Sequence, residues 1–475
     1  MRPSSVPRSL VRQLRPLLRG PMSDAPATLE ALSHDFGGLC SKRPALVVRP
    51  ASTEDVVHVM RAAREHDVAV GVRAGGHSLS GQSLVQDGIL LDMRALQRVH
   101  AINAEDEWFD VDPGVVWHDL VQRTVPLGLL PPVLTGTLRT TVGGTHSIGG
   151  LGHASLRYGS QIDHCLAFEI VTGTGEVYQC SEREHPELFQ HALGSLGLFG
   201  VITRIRGRLR RVPAYVRQHT LYYASRAALL RDLQLLASTS VAAGAGAYGT
   251  RWRGKWLYTL DLTTECAAHE RAGCDTVLEG LSPGRIAASV TRPVREQVLR
   301  YELVDAGEPR NHVPAGGNPW VDSLLPVDAV APFFSAALAR LPDELRDHTT
   351  LLAWPLDGTR LARPMLRRPP GRALALASLF PTLPPELVAH GQRVMCDIAD
   401  IADALGGMRY VYGWMPQDLS HWSSHYGALW PTICALKARH DPEALLARDR
   451  FATAPTAPIA TTFDARVPVT AGNGR

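Results

Sequence analysis

The sequence is nearly free of lysine. Of its 49 basic residues only Lys42, Lys255 and Lys437 are lysines, and the rest are arginines. A GC-rich genome produces that skew without any function. Arginines chosen for bidentate anion binding account for one or two positions at most. Excess charge is also lacking: 49 basic residues face 46 acidic ones, a net charge of +3. That excludes nucleic acid as a main partner, because nothing offsets a phosphate backbone. No apolar run reaches the roughly 18 residues of a membrane span. The first twenty residues, Met1 to Gly20, are basic and contain no continuous apolar stretch, so they do not read as a signal peptide. Seven cysteines are scattered without a C-x-x-C pair. This argues against a zinc site or a disulfide framework and fits a reducing cytoplasm; no metal site is expected. Internal repeats are absent as well.

What is present is a compact globule of 475 residues, 45% hydrophobic and 20% charged. At about 100–200 residues per domain it holds two or three domains. Residues 1–40 read as a mobile N-terminal extension. Ser52 to Asp55 is a capping-box variant opening a helix, with Val56, Met60 and Ala63 on one stripe. Val68 to Val72 reads as a strand, left through the turn Arg73-Ala-Gly-Gly-His-Ser78. Strands follow at Ile89–Asp92 and between Leu96 and Val111, then a helix over Val115–Leu127. Gly173-Thr-Gly175 reads as a hairpin turn. Beyond Val212 the texture changes to Leu/Ala-rich helical patterns, such as Ala227–Thr239 and Val330–Leu341, alternating with aromatic strands. Dense proline at 363–385 suggests loops. Residues 432–447 read as helical.

Glycine bunches twice. Gly75 and Gly76 allow a turn whose N–H groups converge, as in anion-binding nests. The run Thr141-Val-Gly-Gly-Thr-His-Ser-Ile-Gly-Gly-Leu-Gly152 packs five glycines into ten residues. A structural hairpin seldom needs that many, whereas an extended ligand lying on the backbone does. Neither cluster is the G-x-G-x-x-G dinucleotide fingerprint.

These residues resemble the FAD-linked oxidases of the vanillyl-alcohol oxidase, or PCMH-type, family, most nearly its cytokinin dehydrogenase branch. Gly76-His-Ser78 with Gly81-Gln82, Thr141-Val-Gly-Gly-Thr145, Glu187-Leu-Phe189, Gly197-Leu-Phe-Gly-Val-Ile-Thr-Arg204, Asn318-Pro-Trp320, His425-Tyr-Gly-Ala-Leu-Trp430 and Lys437-Ala-Arg-His-Asp-Pro442 carry the likeness in order. The resemblance implies an α+β protein of two parts: a PCMH-type FAD-binding domain at 41–212 and an α+β substrate or cap domain at 213–427. A C-terminal return to the FAD domain follows at 428–475. It implies FAD bonded covalently through His77, with Val72, Ala74, Gly75, Gly76, Ser78, Gln82, Thr141, Ser147, Leu151, Ile202 and Tyr410 around it. The second, cysteinyl flavin bond of another branch is not expected, because no cysteine lies between 131 and 150.

The sequence departs from the branch in two places: the branch's closing Ser-Pro-Gly-Gln is Ala447-Arg-Asp-Arg450 here, and a substrate-binding carboxylate is missing. Cytokinin dehydrogenases carry an Asp five residues before the Thr of Thr-Val-Gly-Gly-Thr, where it accepts a hydrogen bond from the substrate amine. Here that position is Gly136. No catalytic residue is named by the sequence; His146, Asp119, His153, Tyr158 and Tyr426 are titratable residues near the matched segments. The expected function is oxidation of a small organic substrate (alcohol, sugar or amine) by hydride transfer to flavin N5, with reoxidation by oxygen or another acceptor. Loss of the Asp tilts the expectation toward a C–OH substrate. Cytokinin-like amine oxidation, or a flavin-holding cyclase or binding protein without redox turnover, are the alternatives. The substrate and the oligomeric state are left open.

Overall fold

In a computed structural model, residues 6–239, 241–266, 275–299, 316–416 and 419–451 are described. The first part of the chain builds two sheets. A four-stranded sheet runs Met22–Ser23, Leu46–Val48, Ile89–Asp92, Val70–Arg73, the last three strands parallel. Its strands are buried on both faces, as the near-continuous apolar run Ile89-Leu-Leu91 requires. Helix Thr53–Glu65 covers one face with Val56, Val59, Met60 and Ala63, and the Ser52 hydroxyl accepts from the Asp55 N–H at its N-terminus. The second sheet is antiparallel: Val99–Asn103, Trp108–Val111, Gly200–Arg208, Cys165–Thr172, Val177–Ser181. Gly173-Thr-Gly175 turns the final hairpin, with Gly175 at φ +77°.

From Tyr215 the chain builds one eight-stranded antiparallel sheet, ordered Arg285–Pro293, Tyr215–Tyr223, Lys255–Cys266, Gly244–Trp252, Thr349–Asp357, Ala373–Pro381, Val321–Pro326, Met408–Arg409. Side chains alternate across a strand, and this sheet uses both faces. Ala245, Ala247, Leu351, Ala353, Ala375, Ala377, Leu379, Val321 and Leu325 pack under the helices Arg226–Thr239, Val330–Arg340 and Pro385–Ala404. The intervening residues, Leu352, Trp354, Leu356, Leu374 and Leu376, join a core shared with Phe109, Phe168, Phe199 and Ile205 of the first part. A shared apolar core makes the two parts pack as one body, unlike the polar interfaces of loosely docked domains.

The chain then returns. Helix Trp430–His440 packs Ile433 and Leu436 into the shared core. Lys437, one of the three lysines, is buried and fully bonded: it donates to Asp441 (2.5 Å), to the Leu198 carbonyl (2.9 Å) and to the Leu446 carbonyl (2.8 Å). Asp441 in turn accepts the N–H groups of Leu445 and Leu446 (both 2.9 Å). Removing one partner of such a buried pair typically costs about 3–5 kcal/mol.

Three expectations need correction. Residues 6–40 are not a loose extension: Leu10 and Leu14 are fully buried, Met22–Ser23 pairs with Val47 and Val48, and Asp35 is buried beside the turn at 76–81. Their buried positions are too few and too widely spaced to show a period. The proline-dense stretch 363–385 is not all loop, because Ala373–Pro381 is a central strand whose prolines fall at its end and beyond. Cys266 is disulfide-bonded, so the cysteines are not all free as their scatter suggested. Cys40, Cys165, Cys180, Cys396 and Cys434 are free. Among the described residues no helix is long and apolar enough to cross a membrane.

Candidate active site

A cavity of about 580 Å³ runs between the first part of the chain and the inner face of the large sheet. All twelve residues expected around the cofactor line it: Val72, Ala74, Gly75, Gly76, His77, Ser78, Gln82, Thr141, Ser147, Leu151, Ile202 and Tyr410. Strand Val70–Arg73 ends at the cavity, and the turn after it bends at Gly76, whose φ of +72° suits only glycine. A Cβ at Gly76 would also collide with the Arg73 guanidinium. The second cluster opens a short helix, Val142–His146, on which the Thr141 hydroxyl caps the Gly144 N–H (3.2 Å). The backbone then passes close to its neighbours: a Cβ at Gly152 would overlap the Leu134 carbonyl oxygen, and one at Gly150, φ +73°, the Gln161 amide.

This wall suits an anionic, extended ligand. Arg73 is only 5% exposed, and its Nε and Nη1 find no partner among the described residues. Burial lowers its pKa, with Asp35 opposing that shift and Arg94 adding to it. The N–H groups of Gly75 and Gly76 donate to no described protein group either. Unpartnered buried donors beside a cavity are costly unless a ligand completes them. A pyrophosphate would do so, and the glycines leave the backbone open to it.

The opposite wall is aromatic: Trp320, Trp354 and Phe380 with Tyr248, Tyr410 and Tyr412. Trp320 stacks on Phe380 (4.4 Å between centroids) and donates its indole N–H to the Pro381 carbonyl (3.0 Å). Tyr410 accepts the Gly150 N–H on its hydroxyl (3.0 Å), which ties this wall to the glycine wall. Among these rings lies one acid, Asp322, only 3% exposed. Ser378 donates to its Oδ1, while Oδ2 has no partner among the described residues. Gly413 leaves room at Oδ2, since a Cβ there would stand 3.0 Å from it. Burial pushes the Asp322 pKa up to about 7, against the lowering effect of the Ser378 bond. A proton acceptor of that pKa is poised for general-base work near neutral pH.

None of the five titratable residues near the matched segments lines the cavity. His146 ends the glycine helix and is buried, stacked on Trp117; its Nδ1–H donates to the Val142 carbonyl (2.8 Å), and burial lowers its pKa to about 4. Asp119 pairs with His118 near the surface. His153 bonds the Tyr248 hydroxyl (2.5 Å) from behind Trp354. Tyr158 lies under Arg157 and Arg210, and Tyr426 is core. Gly136 does line the cavity, with the Trp354 ring 3.6 Å from where its Cβ would be. Sequence reading missed Asp322, Trp354 and Phe380, as well as Asp35 and Phe36 beside His77. The only available hint was that Asp322 lies two residues past the matched Asn318-Pro-Trp320.

The family described as the FAD binding domain matches residues 44–181, which hold both glycine clusters. That match places an FAD binding domain in the first part of the chain, and the likeness to FAD-linked oxidoreductases runs along most of its length. An uncharacterized oxidoreductase of the fasciation locus of Rhodococcoides fascians is 29% identical over 422 residues, covering 88% of this chain and 96% of that one. Cytokinin dehydrogenase 1 of Arabidopsis thaliana is 26% identical over 464 residues, covering 88% and 80%. Among solved structures, 6-hydroxy-D-nicotine oxidase from Arthrobacter nicotinovorans superposes with a TM-score of 0.72 at 21% identity, over 90% of this chain and 96% of that one. Xylooligosaccharide oxidase from Myceliophthora thermophila gives 0.75 at 16% identity, over 92% and 97%. The chain therefore shares the two-part α+β fold of these structures, and its FAD binding domain and its likeness to the oxidoreductases above are those of an FAD-dependent oxidoreductase.

Proposed function

We propose that FAD lies along the glycine wall, tethered covalently through a ring nitrogen of His77, and that the substrate is oxidised against the aromatic wall with Asp322 as proton acceptor. The observation that supports this reading best is the continuity of one cavity from the unpartnered donors of the 73–76 turn to the free oxygen of Asp322. Bound there, FAD would supply a hydride acceptor and an outlet for the electron pair to dioxygen or another acceptor.

The protein's own groups do the rest. Arg73 and the N–H groups of Gly75 and Gly76 would hold the phosphates of FAD. Trp320, Trp354 and Phe380 hold a substrate with a flat or apolar body and exclude water from the reacting centre. Asp322 takes the substrate O–H or N–H proton on Oδ2 while Ser378 fixes Oδ1. A carboxylate among aromatic rings accepts from an amine as readily as from an alcohol. Gly136 therefore does not disfavour an amine, and amine oxidation is the second reading.

The test is an anaerobic panel of alcohols, sugar oligomers and amines, isopentenyl-adenine among them, followed by loss of flavin absorbance. Bleaching by at least one member, slowed in Asp322→Asn, is the expected result. Bleaching at an unchanged rate in that variant would remove Asp322 from the reaction. For the tether, acid precipitation should leave flavin in the wild-type pellet and none in that of His77→Ala.

A further inference from the structure

The segment just before the flavin domain passes directly over His77. Phe36 N–H donates to the Gly76 carbonyl (2.9 Å) and Gly37 N–H to the Ser78 carbonyl (3.0 Å), so two backbone bonds bracket the histidine. Gly37 permits the approach, since a Cβ there would overlap the Leu79 backbone. Asp35 fixes the same turn from the other side: its Oδ2 accepts the Ser78 hydroxyl and the Gly81 N–H, both at 2.8 Å. The Phe36 ring stacks on the His77 imidazole, with centroids 5.6 Å apart and planes 23° apart. Its other neighbour belongs to the cap: Trp320 meets it edge-on at 5.3 Å. Asn318 locks the strap to the cap, donating Nδ2–H to the Phe36 carbonyl (2.9 Å) and its backbone N–H to the Gly37 carbonyl (2.8 Å). Phe36 is thus held between the attachment histidine and the substrate wall.

We infer that residues 35–37 form a strap that positions His77 for covalent flavin attachment, with the Phe36 ring fixing the plane of the imidazole. The inference rests on the tether proposed above. In that step the imidazole nitrogen forms a bond to the 8α carbon. The methyl proton, the imidazole N–H proton and the displaced electron pair end on the isoalloxazine, and dioxygen removes them as hydrogen peroxide. The rate depends on the imidazole edge facing the 8α position, and a stacked ring restricts its rotation. Because Phe36 is bound by Asn318 and Trp320, attachment also requires the cap to be docked. Phe36 is a positioning residue; it acts through His77.

The experiment compares wild type, Phe36→Leu, Phe36→Ala and Phe36→Tyr. Each is purified, given excess FAD in aerated buffer, and sampled with time for acid-stable and acid-released flavin. The Leu variant keeps an apolar side chain in the half-buried site and so separates ring stacking from folding. The expected result is that Leu and Ala retain FAD that acid releases, with attachment slowed about tenfold or more, while Tyr attaches as wild type does. Wild-type attachment kinetics in Phe36→Leu would overturn the strap and leave the tether standing. Absence of acid-stable flavin in the wild type would overturn both.

Discussion

The two walls of the cavity are built by opposite means. The glycine wall is mostly main chain: glycines, a threonine cap and a turn, most of it within the two short stretches 72–82 and 141–152. The cap wall is mostly side chain, taken from alternate positions of strands that lie far apart in sequence: Asp322, Trp354, Leu376 and Phe380. A cofactor wall built from backbone tolerates almost no added atom. A substrate wall built from side chains tolerates exchange, because each ring is replaceable without moving the strand that bears it. The difference predicts which substitutions destroy the protein and which only change what it does.

The largest effect is expected at Gly152, which follows the cavity-lining Gly150 and Leu151 of the glycine wall. In Gly152→Ala the new methyl meets the Leu134 carbonyl, a backbone atom that cannot turn away. A cost of about 3 kcal/mol or more follows. Loss of soluble, flavin-loaded protein, read from yield and the flavin-to-protein absorbance ratio, is the expected outcome. A stable, fully yellow Gly152→Ala protein would show that this wall is softer than its contacts imply.

Next comes Asp322→Asn, the one polar change on the cap wall expected to stop chemistry without removing flavin. Loss of a general base lowers kcat by roughly 10²–10⁴-fold. In the wild type kcat should rise with pH through about 7, where Asp322 loses its proton, and that limb should vanish in the variant. Stability moves the other way. The folded pKa of Asp322 is raised above the unfolded value of 3.8, so the carboxyl's contribution is full below that value and is lost as pH rises through about 7. Thermal melts of Asp322→Asn should lack that loss, so the variant should gain on wild type above neutral pH.

The contrast between the walls also explains what could be read in advance. Both glycine clusters, His77 and the family likeness were legible because each is a contiguous stretch whose small residues have a local reason. Val56, Met60 and Ala63 likewise marked their helix by spacing alone. The cap wall was not legible in that way. Asp322 and Trp354 meet only after Val321–Pro326 and Thr349–Asp357 are placed in one sheet with Ala373–Pro381 between them. Beyond its place two residues after Asn318-Pro-Trp320, nothing local distinguishes Asp322 from the other acidic residues. Phe36 escaped for the same reason, since its ring gains meaning only from His77 and Trp320 on either side.

Cap-wall exchanges should have intermediate effects. Trp354→Phe shortens a ring that faces the cavity and leaves the strand intact. Flavin content should stay at wild type while KM changes by about tenfold, as one lost apolar contact of 1–3 kcal/mol allows. Equal loss of flavin and of substrate affinity would mean that Trp354 supports the cofactor too.

The smallest effect should come from Gly136→Ala, which tests the division between the walls most sharply. Gly136 comes just before the second glycine cluster in sequence and lines the same cavity. By sequence alone it belongs with Gly143, Gly150 and Gly152. Its surroundings say otherwise: the nearest atoms to an added Cβ belong to the Trp354 ring, at 3.6 and 4.0 Å, an ordinary van der Waals distance. No positive φ forbids a side chain there. The methyl should therefore rest on the indole, leave flavin content and melting temperature within error, and shift KM by no more than a few-fold. If Gly136→Ala instead empties the protein of flavin, as Gly152→Ala should, then Gly136 belongs to the cofactor wall. The missing branch carboxylate would then be a matter of flavin fit rather than of substrate choice.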